Sequence, residues 1–215
     1  IGGLYSSTAT ISVLARKSRK ASEQEATDYV AAMLLAVSMM FLRFMILILI
    51  FSREIFLSIY PYLLTMAVVA AIVAWFIHSR QKRPEDQPAE TEEDDSSNPL
   101  EFKVALIFAV LFVIFTFLTH YTLVYAGTGG LNLLSFVSGF SDITPFILNL
   151  LQNTGSVAAL IITACSMQAI ISNIMVNMFY ALFFAGKGSK LRPWILGGFG
   201  VVIACNLVLL LFFYI

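Results

Sequence analysis

Residues 138–146 read SGFSDITPF, a glycine, an aspartate and a proline inside an otherwise apolar run. Gly139 tolerates backbone conformations closed to other residues. Pro145 lacks an N–H and favours the first turn of a helix, so the stretch reads as a helix break followed by a new helix start. Two residues compete to cap that start. With Asp142 as N-cap, Pro145 falls at the third helical position, where it has no N–H to offer. With Thr144 as N-cap, Pro145 takes the favoured first position and the hydroxyl can reach the N–H of Ile147. Thr144 is therefore the expected cap, which leaves Asp142 as a carboxylate without that duty.

The surroundings make such a carboxylate expensive. The 215 residues are 59% hydrophobic and 12% charged, against roughly half apolar and about 25% charged in soluble domains. The expected class is an all-α integral membrane protein, a polytopic helical bundle in the cell inner (cytoplasmic) membrane. A helix needs about 20 apolar residues to cross roughly 30 Å of hydrocarbon. Runs 29–51, 55–78, 104–126, 156–185 and 194–215 meet that length. Two shorter and more polar stretches, 1–15 and 131–151, do not, and are expected as broken or re-entrant helices.

Formal net charge is zero, but the layout is uneven: seven of the 13 acids fall between Glu85 and Asp95. The segment around them, rich in Pro, Glu, Asp and Ser, has nothing to bury and reads as a disordered linker at 79–99. It separates a first membrane unit, 1–78, from a second, 100–215. Three paired segments in the same order on either side suggest an internal repeat. GLYSSTA at 3–9 faces GFSDITP at 139–145, SMMFLRFM at 38–45 faces QAIISNIM at 168–175, and YPYLL at 60–64 faces RPWIL at 192–196. In that alignment Ser6 matches Asp142, Thr8 matches Thr144, and Arg43 matches Asn173. The helix at 104–126 has no partner in the first unit, whose counterpart is expected upstream of Ile1. If both short stretches re-enter, eleven Lys and Arg lie on one side and only Arg53 on the other. The positive-inside rule prefers that arrangement, which gives each half three full spans and relates the halves by inversion.

An ionised carboxylate inside a membrane costs about 2.5–3.5 kcal/mol on insertion scales unless paired, hydrated or protonated. Arg43, mid-span in 29–51, carries the same penalty. The two are expected to meet, directly or across a water-filled cavity, and a structural ion pair fixing helix registry is the plainer reading. Ser6, Ser7 and Thr8, beside two glycines, form a matching polar break. Hydroxyls and freed backbone groups there suit a small ion or polar solute, and equally suit close helix packing. Gln168, Ser172, Asn173 and Asn177 fall on one helical face. That stripe fits a cavity wall and interhelical hydrogen bonding alike. His78 and His120 stand at span ends, where lone histidines are weak evidence of a proton relay. Gly197, Gly198 and Gly200 read as small residues at a helix interface.

Cys165 and Cys205 lie in apolar runs without metal or redox spacing. No protease, nucleotide-loop, esterase or dinucleotide fingerprint occurs, so neither an enzyme nor a cofactor or metal site is expected. Basic residues sit in short loops without interleaved aromatics, which excludes nucleic acid as a partner.

The stretch GGLYSSTATISVLARKS resembles the bacterial and archaeal membrane domain of unknown function that accompanies the MgtC/SapB domain. The similarity is carried by Gly2 through Thr10 with Ala15-Arg16, by Arg43, by Asn98-Pro99, by Ser138, Gly139 and Asp142, and by Ser172-Asn173. The family pattern often has a second acid where this chain has Thr144 and a lysine where it has Asn177. The resemblance implies a membrane fold and no settled activity, and the magnesium-limitation phenotypes of MgtC-type proteins belong to the neighbouring domain.

Together these readings point to a transporter-like protein. A small ion or polar solute would pass a site of Asp142, Arg43, Ser6, Ser7, Thr8, Thr144, Asn173 and Asn177 between two repeats. Its partners would be the lipid bilayer, the solute and further copies of the chain. The competing class is a non-transporting membrane regulator or scaffold, in which the same residues lock helices together.

Overall fold

A computed structural model describes residues 7–19, 23–79, 99–152, 157–186, 189 and 191–214. Ser6 and the acidic stretch at 80–98 lie outside the described residues. Among the described residues seven helices follow one another: α1 (Ser7–Ser18), α2 (Glu23–Phe51), α3 (Arg53–Ser79), α4 (Pro99–Ser138), α5 (Ile143–Gln152), α6 (Ala159–Ala185) and α7 (Arg192–Tyr214). Four of them are long and apolar enough to cross a membrane, over Thr27–Phe51, Arg53–Ser79, Ala159–Ala185 and Arg192–Phe212. The expected span at 104–126 falls inside α4.

α2 and α3 are joined through Ser52 alone. Its N–H donates to the Ile48 carbonyl at 2.8 Å, and its hydroxyl accepts from Ile55 N at 3.4 Å, so one residue closes α2 and caps α3. Contacts nearly symmetric about this corner show the two helices running antiparallel. Ser38 Oγ donates to the Ala67 carbonyl at 2.8 Å, and His78 Nδ1 meets Asp28 Oδ1 at 2.8 Å. α6 is the central helix, with 72% of its apolar window buried against 28–44% for the other three spans. α1 packs in the angle between α2 and α6. Ser7, Ile11, Ala15 and Ser18, at intervals of three and four residues, form its buried face. α7 is tied to α3 by a buried hydrogen bond from the Tyr62 hydroxyl to Asn206 Oδ1.

The second unit is broken twice. α4 bends at Gly127, whose φ of 59° and ψ of −148° lie where a side chain is strained. Two helical segments of α4 therefore meet at Gly127 across a kink. The second break is the one expected at 139–142. Past it, α5 has ten residues and a length of about 15 Å, half the hydrocarbon thickness, and eight of the ten are buried.

Leaving helix geometry frees carbonyls that apolar surroundings cannot hydrate, so other groups must bond them. Here α6 supplies the partners. Ser172 Oγ donates to the Phe136 carbonyl at 2.6 Å, and Asn173 Nδ2 reaches the Gly139 and Ser141 carbonyls at 3.2 and 3.4 Å. Higher on the same face, Ser135 Oγ donates to Gln168 Oε1 at 2.7 Å. The polar stripe of α6 is thereby used between helices at Gln168, Ser172 and Asn173.

Such contact needs the two backbones close together. A Cβ added at Gly139 would collide with the Ser172 side chain and lie 2.7 Å from the Asn173 backbone nitrogen. Of the three glycines on α7, only Gly198 is packed in this way, where an added Cβ would fall 2.8 Å from Leu34 Cδ1. Gly197 and Gly200 face open space. Gly139→Ala is accordingly expected to destabilise the protein by about 2 kcal/mol or more. Gly197→Ala should be neutral or stabilising by up to about 1 kcal/mol through helix propensity. Thermal unfolding in detergent compares them directly.

Candidate functional site

Where α1, α2, α6 and the second break converge, they enclose a cavity of about 360 Å³. Its wall includes Ser7 and Thr8 from the start of α1, Arg43 from α2, Asp142 from the break, and Asn173 and Tyr180 from α6. Residues from both sides of the acidic segment therefore meet around one space.

Asp142 holds the entrance to α5. Its Oδ1 accepts from Thr144 N at 2.9 Å and from the Thr144 hydroxyl at 2.7 Å. Asp142 is thus the N-cap, and Thr144, expected in that role, is the second helical residue. The expectation failed because it counted only backbone donors. Pro145 does remove one N–H, but the Thr144 side chain supplies the missing donor to the same carboxylate oxygen. The negative cap also faces the positive end of the α5 dipole.

The hydroxyl of Thr144 has a second task. Arg43 Nη2 donates to Thr144 Oγ1 at 3.1 Å, so a continuous chain runs from guanidinium through hydroxyl to carboxylate. The charge of Asp142 acts on the guanidinium, whose Cζ also lies 5.0 Å from the centroid of the Phe44 ring, within cation–π range. Thr144 is 9% exposed and Arg43 is half-buried, whereas Asp142 opens onto the cavity and is exposed.

Of the remaining expected residues, Ser7 and Thr8 line the cavity, and the Thr8 carbonyl accepts from Ser12 Oγ at 2.8 Å. Asn173 lines it too, its amide already engaged at the break. Asn177 is fully buried behind it and donates through Nδ2 to Asn173 Oδ1 at 3.1 Å, so it supports the wall without forming it. Ser6 lies outside the described residues. Tyr180 was not expected. It stands seven residues, two helical turns, beyond Asn173, so the periodicity that marked the stripe extends to it. His78 is paired with Asp28, fifteen residues and about 22 Å along α2 from Arg43, and so lies away from the cavity.

Thr144→Val keeps shape and the backbone cap but removes the bridge between the charges. It should destabilise by about 1–3 kcal/mol, the range for leaving a buried polar partner unsatisfied. Thr144→Ser should stay within about 0.5 kcal/mol. Unfolding midpoints of the two variants side by side check this.

The chain is 24% identical over 215 residues to an uncharacterized protein of Aquifex aeolicus strain VF5, an alignment covering 98% of this chain and 90% of the relative. No solved structure matches. The profile of a domain of unknown function, DUF4010, matches residues 1–185, and the chain belongs to that family.

Proposed function

We propose that the protein is a transporter-like membrane protein, not an enzyme, and that a small ion or polar solute passes through the cavity beside Arg43 and Asp142. One observation carries the reading: two ionisable side chains from different halves, both costly within a membrane, face a shared space large enough for a solute. A sequence in which they served only to hold helices together would have no need of that space.

The repeat belongs to the same proposal. A short helix followed by two long ones recurs, as α1, α2, α3 and again as α5, α6, α7. The aligned positions Arg43 and Asn173 both line the cavity, as does Thr8, whose counterpart Thr144 bonds both charges. With α1 and α5 as re-entrant half-helices and α2, α3 and α4 crossing between them, an odd number of spans separates the matched short helices and would invert one half relative to the other. That is the arrangement in which alternating access around a midplane site is built. The cytoplasmic membrane as its location is part of the same proposal, and an association with an MgtC/SapB domain enters only through the resemblance.

A regulator or scaffold is the second reading, favoured by the α6 stripe, where Gln168, Ser172 and Asn173 are engaged between helices. Reconstitution separates the two. Proteoliposomes holding the wild-type chain should show solute-dependent uptake from a panel of inorganic ions, carboxylates and amino acids. Arg43→Gln should cut that uptake at least about tenfold, an interaction worth about 1.4 kcal/mol or more. Absence of uptake for every solute, with Arg43→Gln altering only thermal stability, would leave the scaffold reading standing.

A further inference from the structure

Resting on the reading of the cavity as a solute site, we infer that its occupant is a small oxyanion, a carboxylate or its inorganic equivalent, held at Arg43 and taken up together with a proton on Asp142.

The sign of the site follows from what faces it. Among the described residues lining the cavity, Arg43 is the single cation, Asp142 the single acid, and Tyr180 the one other titratable group. Formal charge therefore cancels. A helix N-terminus adds to it: Asp142 and Ile143 open α5 at the cavity, and such an end carries about half an elementary positive charge. The balance is positive with Asp142 ionised, and a planar guanidinium matches the geometry of a carboxylate-like group. A bare cation would meet the reverse field.

The proton follows from how Asp142 is bonded. Both hydrogen bonds that hold the α5 entrance, from Thr144 N and from the Thr144 hydroxyl, end on Oδ1. Oδ2 makes no hydrogen bond among the described residues, and the residue is exposed to the cavity. A proton on Oδ2 leaves Oδ1 a carbonyl oxygen that still accepts both bonds. The carboxyl group can lose its charge while the helix stays capped. Neutral Asp142 no longer competes for Arg43, so an anion and a proton enter together and the total charge of the occupied site equals that of the empty one. In apolar surroundings that equality matters, because an uncompensated charge is the costly state.

The sign with pH is fixed by this chemistry. Protonation favours binding, so affinity falls as pH rises, by at most about tenfold per pH unit for one linked proton. Asp142→Asn has the same oxygen for the cap and a neutral second group, and stands in for the protonated state.

The test is calorimetric titration of the purified full chain in detergent with acetate, nitrate, phosphate, glycine, sodium and calcium between pH 5 and pH 8. At least one of the three anions is expected to bind more tightly at low pH with proton uptake, read from buffers of different ionisation enthalpy. Asp142→Asn should bind the same anion with no pH dependence, and Arg43→Gln should lose it. Proton uptake by the wild-type chain on binding nitrate, which does not itself titrate in this range, decides the matter even if a variant does not fold. Binding of glycine, sodium or calcium that Asp142→Asn abolishes would overturn the anion assignment while leaving the solute site intact. Anion binding without proton uptake would overturn the proton. No binding of any probe, together with no uptake in proteoliposomes, would remove the solute site as well.

Discussion

The carbonyls set free where the chain leaves helix geometry between Ser138 and Ile143 have to be bonded inside apolar surroundings, and most of the architecture around the cavity meets that demand. From α6, Asn173 bonds two of them, and Ser172 bonds the Phe136 carbonyl in the last turn of α4. They reach that far only because position 139 has no side chain. Asn177 in turn steadies Asn173. The central, most buried helix is polar on this face for that reason. An apolar α6 would pack as well against lipid-like neighbours, yet leave the break with unsatisfied groups at several kcal/mol each. The break in turn fixes where α5 starts, and with it the position of Asp142.

The demand also sets the order of cause between structure and function. Hydrogen bonds at the break hold Asp142 at the edge of the cavity, the cap fixes the orientation of its Oδ1, and the Thr144 hydroxyl ties that oxygen to Arg43 on a helix a hundred residues away in sequence. Substituting any one member moves the others, which is how positional accuracy arises at this site. The remainder of the bundle is held by simpler means: apolar surface, the one-residue corner at Ser52, and isolated polar ties such as Tyr62 to Asn206.

The membrane class and the long helices were legible because hydrocarbon thickness translates directly into run length, and the break at 139–142 because Gly and Pro act locally. Arg43 and Asp142 could be matched in advance because each is costly alone. Other features depend on three-dimensional choices that spacing does not encode. Gly127 is set apart from Gly129 by the φ it adopts, and Gly130 by the Thr122 and Ala126 side chains packed against it. The same residue pattern serves a packed glycine at 198 and open ones at 197 and 200. Tyr180, read by composition, is one more aromatic in an apolar span, and only its two-turn offset from Asn173 places it at the cavity. The two uses weighed for the α6 stripe were both right in part, since Asn173 bonds the break and lines the cavity at once.

The capping error is the most instructive of these. Preference for Thr144 rested on Pro145 removing a donor, a sound local rule that ignored the hydroxyl beside it. Once the hydroxyl is counted, serine or threonine at position 142 would cap α5 nearly as well as aspartate. A carboxylate is therefore not required by the cap. It carries an insertion cost of about 2.5–3.5 kcal/mol that a hydroxyl would avoid. Two things distinguish it at this place: a full negative charge within reach of Arg43, and a second oxygen that the cap does not use. The first compensates a half-buried cation. The second belongs to a residue that lines the cavity, so the carboxylate caps the helix with one oxygen and keeps the other out of the cap.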